Sequence, residues 1–251
     1  MPSIAARQNE QYYSSLSPGR EDYWRYMAAP RFRVRTILSL LSGRQVSSVI
    51  DLGCGSGELL GEIRAVFPAI RLAGIDLSLP QIEINRLRDP TTDWYAGDLE
   101  NPEAVSSALF GAFDVVVASE IIEHLDHSDA FLRVAHLLAR PENGMLIVTT
   151  QSGPVRATER AVGHRHHYSA EEMAARLIEC GWQPLRIWNA GYPFHDLSKW
   201  YANRDPAATL DRFGTGAWGW RERAIAAALR LAFRLNSNSR GAQLFALARA
   251  H

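Results

Sequence analysis

The stretch Val49-Ile50-Asp51-Leu52-Gly53-Cys54-Gly55-Ser56-Gly57 joins an apolar run to three glycines at alternate positions. After it, Leu59, Leu60, Ile63 and Val66 recur at helical spacing and stop at Pro68. The reading is strand, tight turn, helix. Glycines at such a turn let the main chain approach a ligand that side chains would exclude, so the turn is also the first candidate binding element.

The same alternation runs outward in both directions. Upstream, Phe32, Val34, Ile37, Leu38 and Leu41 predict a helix that ends before Gly43 and feeds a buried strand over 46–52. Downstream, strands are expected over 71–77, 93–96, 113–119, 144–150 and 184–190, separated by helices over 80–87, 103–109, 128–138 and 170–180. The fourth strand is almost wholly apolar, as a strand covered by helices on both faces must be. A last strand is expected over 242–248, after an aromatic and Gly-rich excursion over 191–241 in which one helix, 220–235, stands out. The pattern is α/β and doubly wound: a mainly parallel, seven-stranded sheet with a helical cap over 1–45, a core over 46–190 and 242–251, and a lid or substrate insert over 191–241.

Composition narrows the partners. The chain has 251 residues, 47% of them apolar, enough for one large core. Basic and acidic residues cancel at 27 each, so no whole-molecule field favours DNA or an anionic bilayer. Lys199 is the only lysine. The two cysteines, Cys54 and Cys180, form neither a framework nor a C-x-x-C pair, and no run approaches a membrane span of ~20 apolar residues. A cytoplasmic location is the expectation; the oligomeric state is left open.

Two further signals lie at successive strand ends. Asp76 stands about twenty residues past the glycines, where a carboxylate can accept from both hydroxyls of a ribose. Gly97-Asp98-Leu99 closes the third strand, where a carboxylate can hold an adenine amino group. An NAD site is the competing reading, but the third glycine follows the second by two residues rather than three.

At this point the sequence resembles the class I, Rossmann-like methyltransferases of small-molecule type, whose first motif is read as Asp51-Leu52-Gly53-Cys54-Gly55-Ser56-Gly57. The resemblance implies S-adenosyl-L-methionine as cofactor. It places Asp51, Gly53 and Gly55 along the methionine part, Asp76 on the ribose, and Asp98 with Leu99 around the adenine. Cys54, Leu77 and Glu120 complete the expected cofactor-binding set; Cys54 can equally just fill the turn, and Leu77 and Leu99 can be core residues that touch adenine.

The sulfonium methyl is already electrophilic, so such an enzyme has to align an acceptor and, for a hydroxyl, help remove a proton. Ser119-Glu120-Ile121-Ile122-Glu123-His124-Leu125 looks like the Glu-x-x-Glu-His-Leu stretch of many small-molecule methyltransferases, which makes His124 a candidate base. A second cluster, Gly163-His164-Arg165-His166-His167-Tyr168, precedes a helix opened by Ser169 and adds His167. The expected acceptor is a small or carrier-linked polar metabolite methylated on oxygen, with no metal. Glu120, Glu123, His124 and one histidine of the second cluster also look like the metal site of RNA 3′-terminal 2′-O-methyltransferases, but the chain continues His167-Tyr168-Ser169 rather than into the Phe-Glu-Trp of those enzymes. RNA is therefore not the expected acceptor. A cofactor-binding scaffold subunit is the non-enzymatic alternative.

Aromatics at Tyr12, Tyr13, Tyr23, Trp24 and Tyr26, and in Tyr192-Pro193-Phe194-His195 and Trp218-Gly219-Trp220, are candidates for closing over cofactor or acceptor. The 220–235 helix is basic and amphipathic, with Ile225, Leu229, Ala232 and Phe233 on one side. Docking of that side on the chain's own domain is expected over peripheral membrane contact.

Overall fold

A computed structural model describes residues 26–214 and 218–251. Tyr12, Tyr13, Tyr23 and Trp24 lie outside them. Helix α1 spans Ala28–Leu41 and leads into β1, Ser48–Leu52. Then come α2 (Glu58–Val66), β2 (Arg71–Asp76), α3 (Leu79–Arg88), β3 (Asp93–Ala96), β4 (Val115–Ser119), α4 (Ser128–Leu138) and β5 (Met145–Gln151). A short helix α5 (Ala157–Ala161) precedes α6 (Ala170–Glu179) and β6 (Trp182–Ala190), and α7 (Phe194–Ala202), α8 (Pro206–Gly214) and α9 (Trp220–Ala232) stand before β7 (Gln243–Ala250).

The seven strands form one sheet in the order β3-β2-β1-β4-β5-β7-β6. Pairings from β3 through β5 are parallel, whereas β7 runs antiparallel to both β5 and β6. Every residue of β1 is buried, because helices cover both faces. Period-two alternation sorts the side chains: Ile50, Leu52, Val116 and Val148 pack with Phe131, Leu132 and Leu138 of α4. Val49, Val115, Val117 and Ile147 pack on the other face with Ile37 and Leu41 of α1 and Leu60 and Ile63 of α2. Trp182 is buried at the start of β6 and satisfies its indole by donating to Leu132 O at 3.0 Å.

Three expectations need correction. The helix expected over 103–109 is instead two short 3₁₀ turns, Pro102–Ala104 and Ser107–Leu109, because the backbone turns extended at Val105 (φ −106°, ψ 129°) and interrupts the helical run. Among the described residues the 191–241 stretch holds three α-helices rather than one; Leu197, Trp200 and Tyr201 of α7 are exposed, so its apolar residues leave no regular buried stripe to read. Helix α9 does dock, with Phe233 in the turn after it meeting Phe32 of α1 edge-on at 6.3 Å between ring centroids. Its contact face runs through Ala226, Leu229 and Phe233, the last two as expected, but Ile225 is 41% exposed.

Candidate active site

The C-terminal ends of β1, β2 and β3 are held open by main-chain hydrogen bonds. Gly53 N and Cys54 N both donate to Ile75 O, at 2.8 and 3.0 Å, which folds the glycine turn back onto the end of β2. Gly53 and Gly57 adopt φ of 71° and 78°. A Cβ at Gly53 would stand 2.3 Å from Ile121 Cδ1, and one at Gly57 would stand 2.4 Å from the Trp94 ring. Only glycine combines that backbone with that proximity.

Asp76 fixes the middle of the turn. Its Oδ2 accepts from Gly55 N at 2.8 Å and its Oδ1 from Ser78 N at 2.9 Å, while Asn85 Nδ2 donates to Gly55 O at 2.7 Å. The carboxylate expected to meet a ribose thus also shapes the loop beneath it, and Asn85, which carries no sequence signal, completes the clamp. Burial raises the Asp76 pKa, and the amide donors oppose the rise. Asp51, buried beside it, is raised well above the ordinary carboxylate range by burial and then by the Asp76 charge. Cys54 is buried within the turn, and burial pushes its thiol up. At the end of β3, Asp98 Oδ1 accepts from Glu100 N at 3.0 Å. Leu77 is half-buried, whereas Leu99 is in the core beside Phe131.

At the ends of β4 and β5, side chains do the building. Glu120 has φ of 55°, unusual for a non-glycine residue, and its carboxylate turns toward β5 and β7. Gln151 Nε2 and Gln243 Nε2 donate to it at 2.8 Å each, Thr149 Oγ1 at 3.1 Å, and Arg33 of α1 lies 3.6 Å away. Burial alone would raise its pKa; the Arg33 charge and the two amide donors hold it down to about 2. Gln151 passes the network on by accepting from Lys199 Nζ of α7 at 2.7 Å, and Lys199 in turn lies 3.2 Å from Glu159. Arg33, Gln151, Glu159 and Gln243 were not among the expected site residues. Lys199, the only lysine, carried a compositional mark alone.

The histidines converge as the two clusters suggested, with one exception. His124, in a 3₁₀ turn after β4, stacks edge-on with His164 at 4.6 Å, and His164 with His167 at 5.2 Å. His166 instead leaves the group to meet Glu172 at 2.9 Å on α6. His167 Nδ1 lies 3.1 Å from Gly153 O, and His167 Nε2 lies 2.9 Å from His164 Nδ1. A carbonyl only accepts, so the proton of neutral His167 sits on Nδ1 and His164 Nδ1 donates to His167 Nε2. Burial leads in lowering all three, to about 4 for His124, about 3 for His164 and about 4 for His167. Each is neutral at pH 7, the form that can accept a proton. Glu123 is buried in the same place and burial, with the Glu120 charge, raises it well above the carboxylate range. Ligand atoms of Glu123, His124 and His164 all lie within 4.8 Å of one another, a set that could hold a metal ion.

Comparison with known proteins points to one chemistry. A sequence profile described as a methyltransferase domain matches residues 23–187. A malonyl-[acyl-carrier protein] O-methyltransferase of Anoxybacillus flavithermus is 26% identical over 66% of this chain and 58% of its own length. A ubiquinone biosynthesis O-methyltransferase of Xanthomonas euvesicatoria pv. vesicatoria is 28% identical over 73% and 72%. The chain spans about half the length of the first curated relatives it matches. Among solved structures, geranyl diphosphate C-methyltransferase from Streptomyces coelicolor A3(2) superposes over 99% of this chain and 98% of its own with a TM-score of 0.63, at 12% identity. At that identity the likeness concerns the fold.

Proposed function

Because the chain belongs to the methyltransferase domain family, whose cofactor is S-adenosylmethionine, we propose that it transfers the methyl group to a hydroxyl oxygen of a small or carrier-linked polar metabolite. In this reading Asp51, Gly53, Cys54 and Gly55 line the methionine part of the cofactor. Asp76 receives the ribose hydroxyls, Leu77, Asp98 and Leu99 border the adenine, and Glu120 marks the edge of the pocket toward the acceptor. His124 or His167 takes the hydroxyl proton. Bound S-adenosylmethionine would supply an electrophilic methyl on a sulfonium and would depart as a neutral thioether, while the hydroxyl proton would pass to the imidazole.

The observation that carries this reading is the junction between the two halves of the site. Ile121 Cδ1 fills the place a Cβ of Gly53 would occupy, so the segment leading to His124 lies directly against the glycine turn. The imidazole three residues along brings a ring nitrogen to that junction, within the part of the site where an acceptor hydroxyl would have to give up its proton. The two sequence relatives named above are both O-methyltransferases, one of a malonyl-[acyl-carrier protein] and one in ubiquinone biosynthesis.

The test is turnover of labelled S-adenosylmethionine against a panel of phenols, sugars and acyl-carrier-linked acids, with the product located by mass spectrometry. Methyl ethers or methyl esters, lost in His124→Ala with His167→Ala, support the proposal. Methyl on nitrogen or carbon overturns the oxygen assignment. Cofactor binding without turnover on any class of acceptor would leave a scaffold subunit as the better description.

A further inference from the structure

Glu123 presents a buried polar atom that the fold does not explain. The residue is 0% exposed; its Oε2 accepts from Thr150 Oγ1 at 2.8 Å, but Oε1 has no hydrogen-bond partner. Neither protonation state mends this, since a carboxylate oxygen there lacks a donor and a carboxyl O–H there lacks an acceptor. Buried His136 Nε2, His195 Nδ1 and Asn236 Nδ2 also lack a hydrogen-bond partner, but of these four atoms only Glu123 Oε1 stands in a cluster of metal-ligating side chains, which is where a missing partner has a place to bind. Around it stand His124, 6% exposed, and half-buried His164, with one ligand atom of each of the three residues within 4.8 Å of the others.

We propose that Glu123, His124 and His164 bind a divalent transition-metal ion, zinc in preference to magnesium. Two imidazoles and one carboxylate are the donor set of an open zinc site, which keeps a further position for water or substrate. Magnesium instead favours oxygen donors in octahedral array. At the ~2.0–2.2 Å of zinc–ligand bonds, neighbouring ligand atoms stand roughly 3.5 Å apart, so the cluster needs only small side-chain rotations to close.

The surroundings match what such ligands need. His164 Nδ1 donates to His167 Nε2, and His167 Nδ1 donates to Gly153 O. This relay of two rings fixes the His164 tautomer and leaves the lone pair on Nε2, as an outer partner does for a metal-ligating histidine. Thr150 holds the carboxylate from behind. Glu120, which could have been a fourth ligand, is instead engaged by Gln151, Gln243 and Arg33, so the site has three protein ligands and an open side. On the O-methylation reading, that open side would receive the acceptor hydroxyl and His124 would be a ligand rather than the base; the binding itself does not depend on that reading.

The experiment is calorimetric titration of the full chain with zinc chloride, manganese chloride and magnesium chloride, with S-adenosylhomocysteine titrated separately, for the wild type, Glu123→Gln and His164→Ala. The expected result is one zinc per chain, tighter than magnesium, weakened at least about 100-fold in both variants with S-adenosylhomocysteine affinity unchanged. No zinc binding by the wild type, or zinc binding equally tight in the variants, overturns the proposal. If Glu123→Gln loses S-adenosylhomocysteine binding, the fold has been disturbed and His164→Ala decides alone. Failure of S-adenosylhomocysteine to bind the wild type would count against the methyltransferase reading and not against the metal site.

Discussion

The two halves of the site are built in different ways. At the ends of β1, β2 and β3 the working surface is main chain: glycines at positive φ, amides turned inward, and Asp76 accepting from two of those amides. At the ends of β4 and β5 it is side chain, with Arg33, Glu120, Gln151, Gln243 and Lys199 drawn from five distant segments into one buried network. A main-chain surface is fixed by local geometry and suits a ligand that does not change. A side-chain surface can be altered one residue at a time, which suits the part of the site that chooses an acceptor.

The sharpest way to break this contrast is Arg33→Met. If the β4–β5 half is a structural network, removing the cation leaves Glu120 buried and costs about 3 kcal/mol in urea unfolding, within the range for breaking a buried ion pair. A loss below about 0.5 kcal/mol would show that the amide donors suffice and the contrast is overdrawn. On the other half, Asp76→Ala should weaken S-adenosylhomocysteine binding by ~100-fold, because charged acceptor bonds of roughly 1.5–3 kcal/mol each are lost from the loop as well as from the ribose. Unchanged affinity would remove Asp76 from the cofactor site.

Protonation sharpens the comparison further. Glu120 is depressed from 4.5 to about 2 in the fold, so its contribution is complete above its unfolded value and is lost as pH falls toward 2. The stability difference between wild type and Glu120→Gln should therefore be flat above pH 4.5 and shrink between 4.5 and about 2. A difference that stays constant across that window would mean the carboxylate charge adds nothing.

The same contrast explains what was legible in the sequence. Glycine spacing, Asp76 twenty-one residues beyond Gly55 and the strand-end Asp98 are local marks, and the fold follows from hydrophobic period alone through β1, β4 and β5. The convergence of His124 with His164 was anticipated only as proximity of two clusters. Arg33 and Gln243, 210 residues apart, carry no local mark, because their shared partner Glu120 exists only once β4, β5 and β7 are side by side. The helices α7 and α8 were missed for a related reason: Leu197, Trp200 and Tyr201 are exposed on α7, so its apolar residues do not trace a buried face.

The smallest expected effect concerns how α7 is tied to the rest. Lys199 reaches from α7 to Gln151 at 2.7 Å and Glu159 at 3.2 Å, both on the acceptor half. Exchanging it for Met keeps the length of the side chain while deleting the charge, so packing should survive and only the tether should go. With about 1 kcal/mol removed, amide hydrogen exchange along α7 should accelerate roughly 5-fold while β1 and β4 stay protected. Acceleration confined to α7 would make that helix an independently opening unit for which Lys199 is the tie to Gln151 and Glu159. Equal acceleration in β5 would instead mean that Gln151 transmits the loss, and that the acceptor half of the site opens as a single piece.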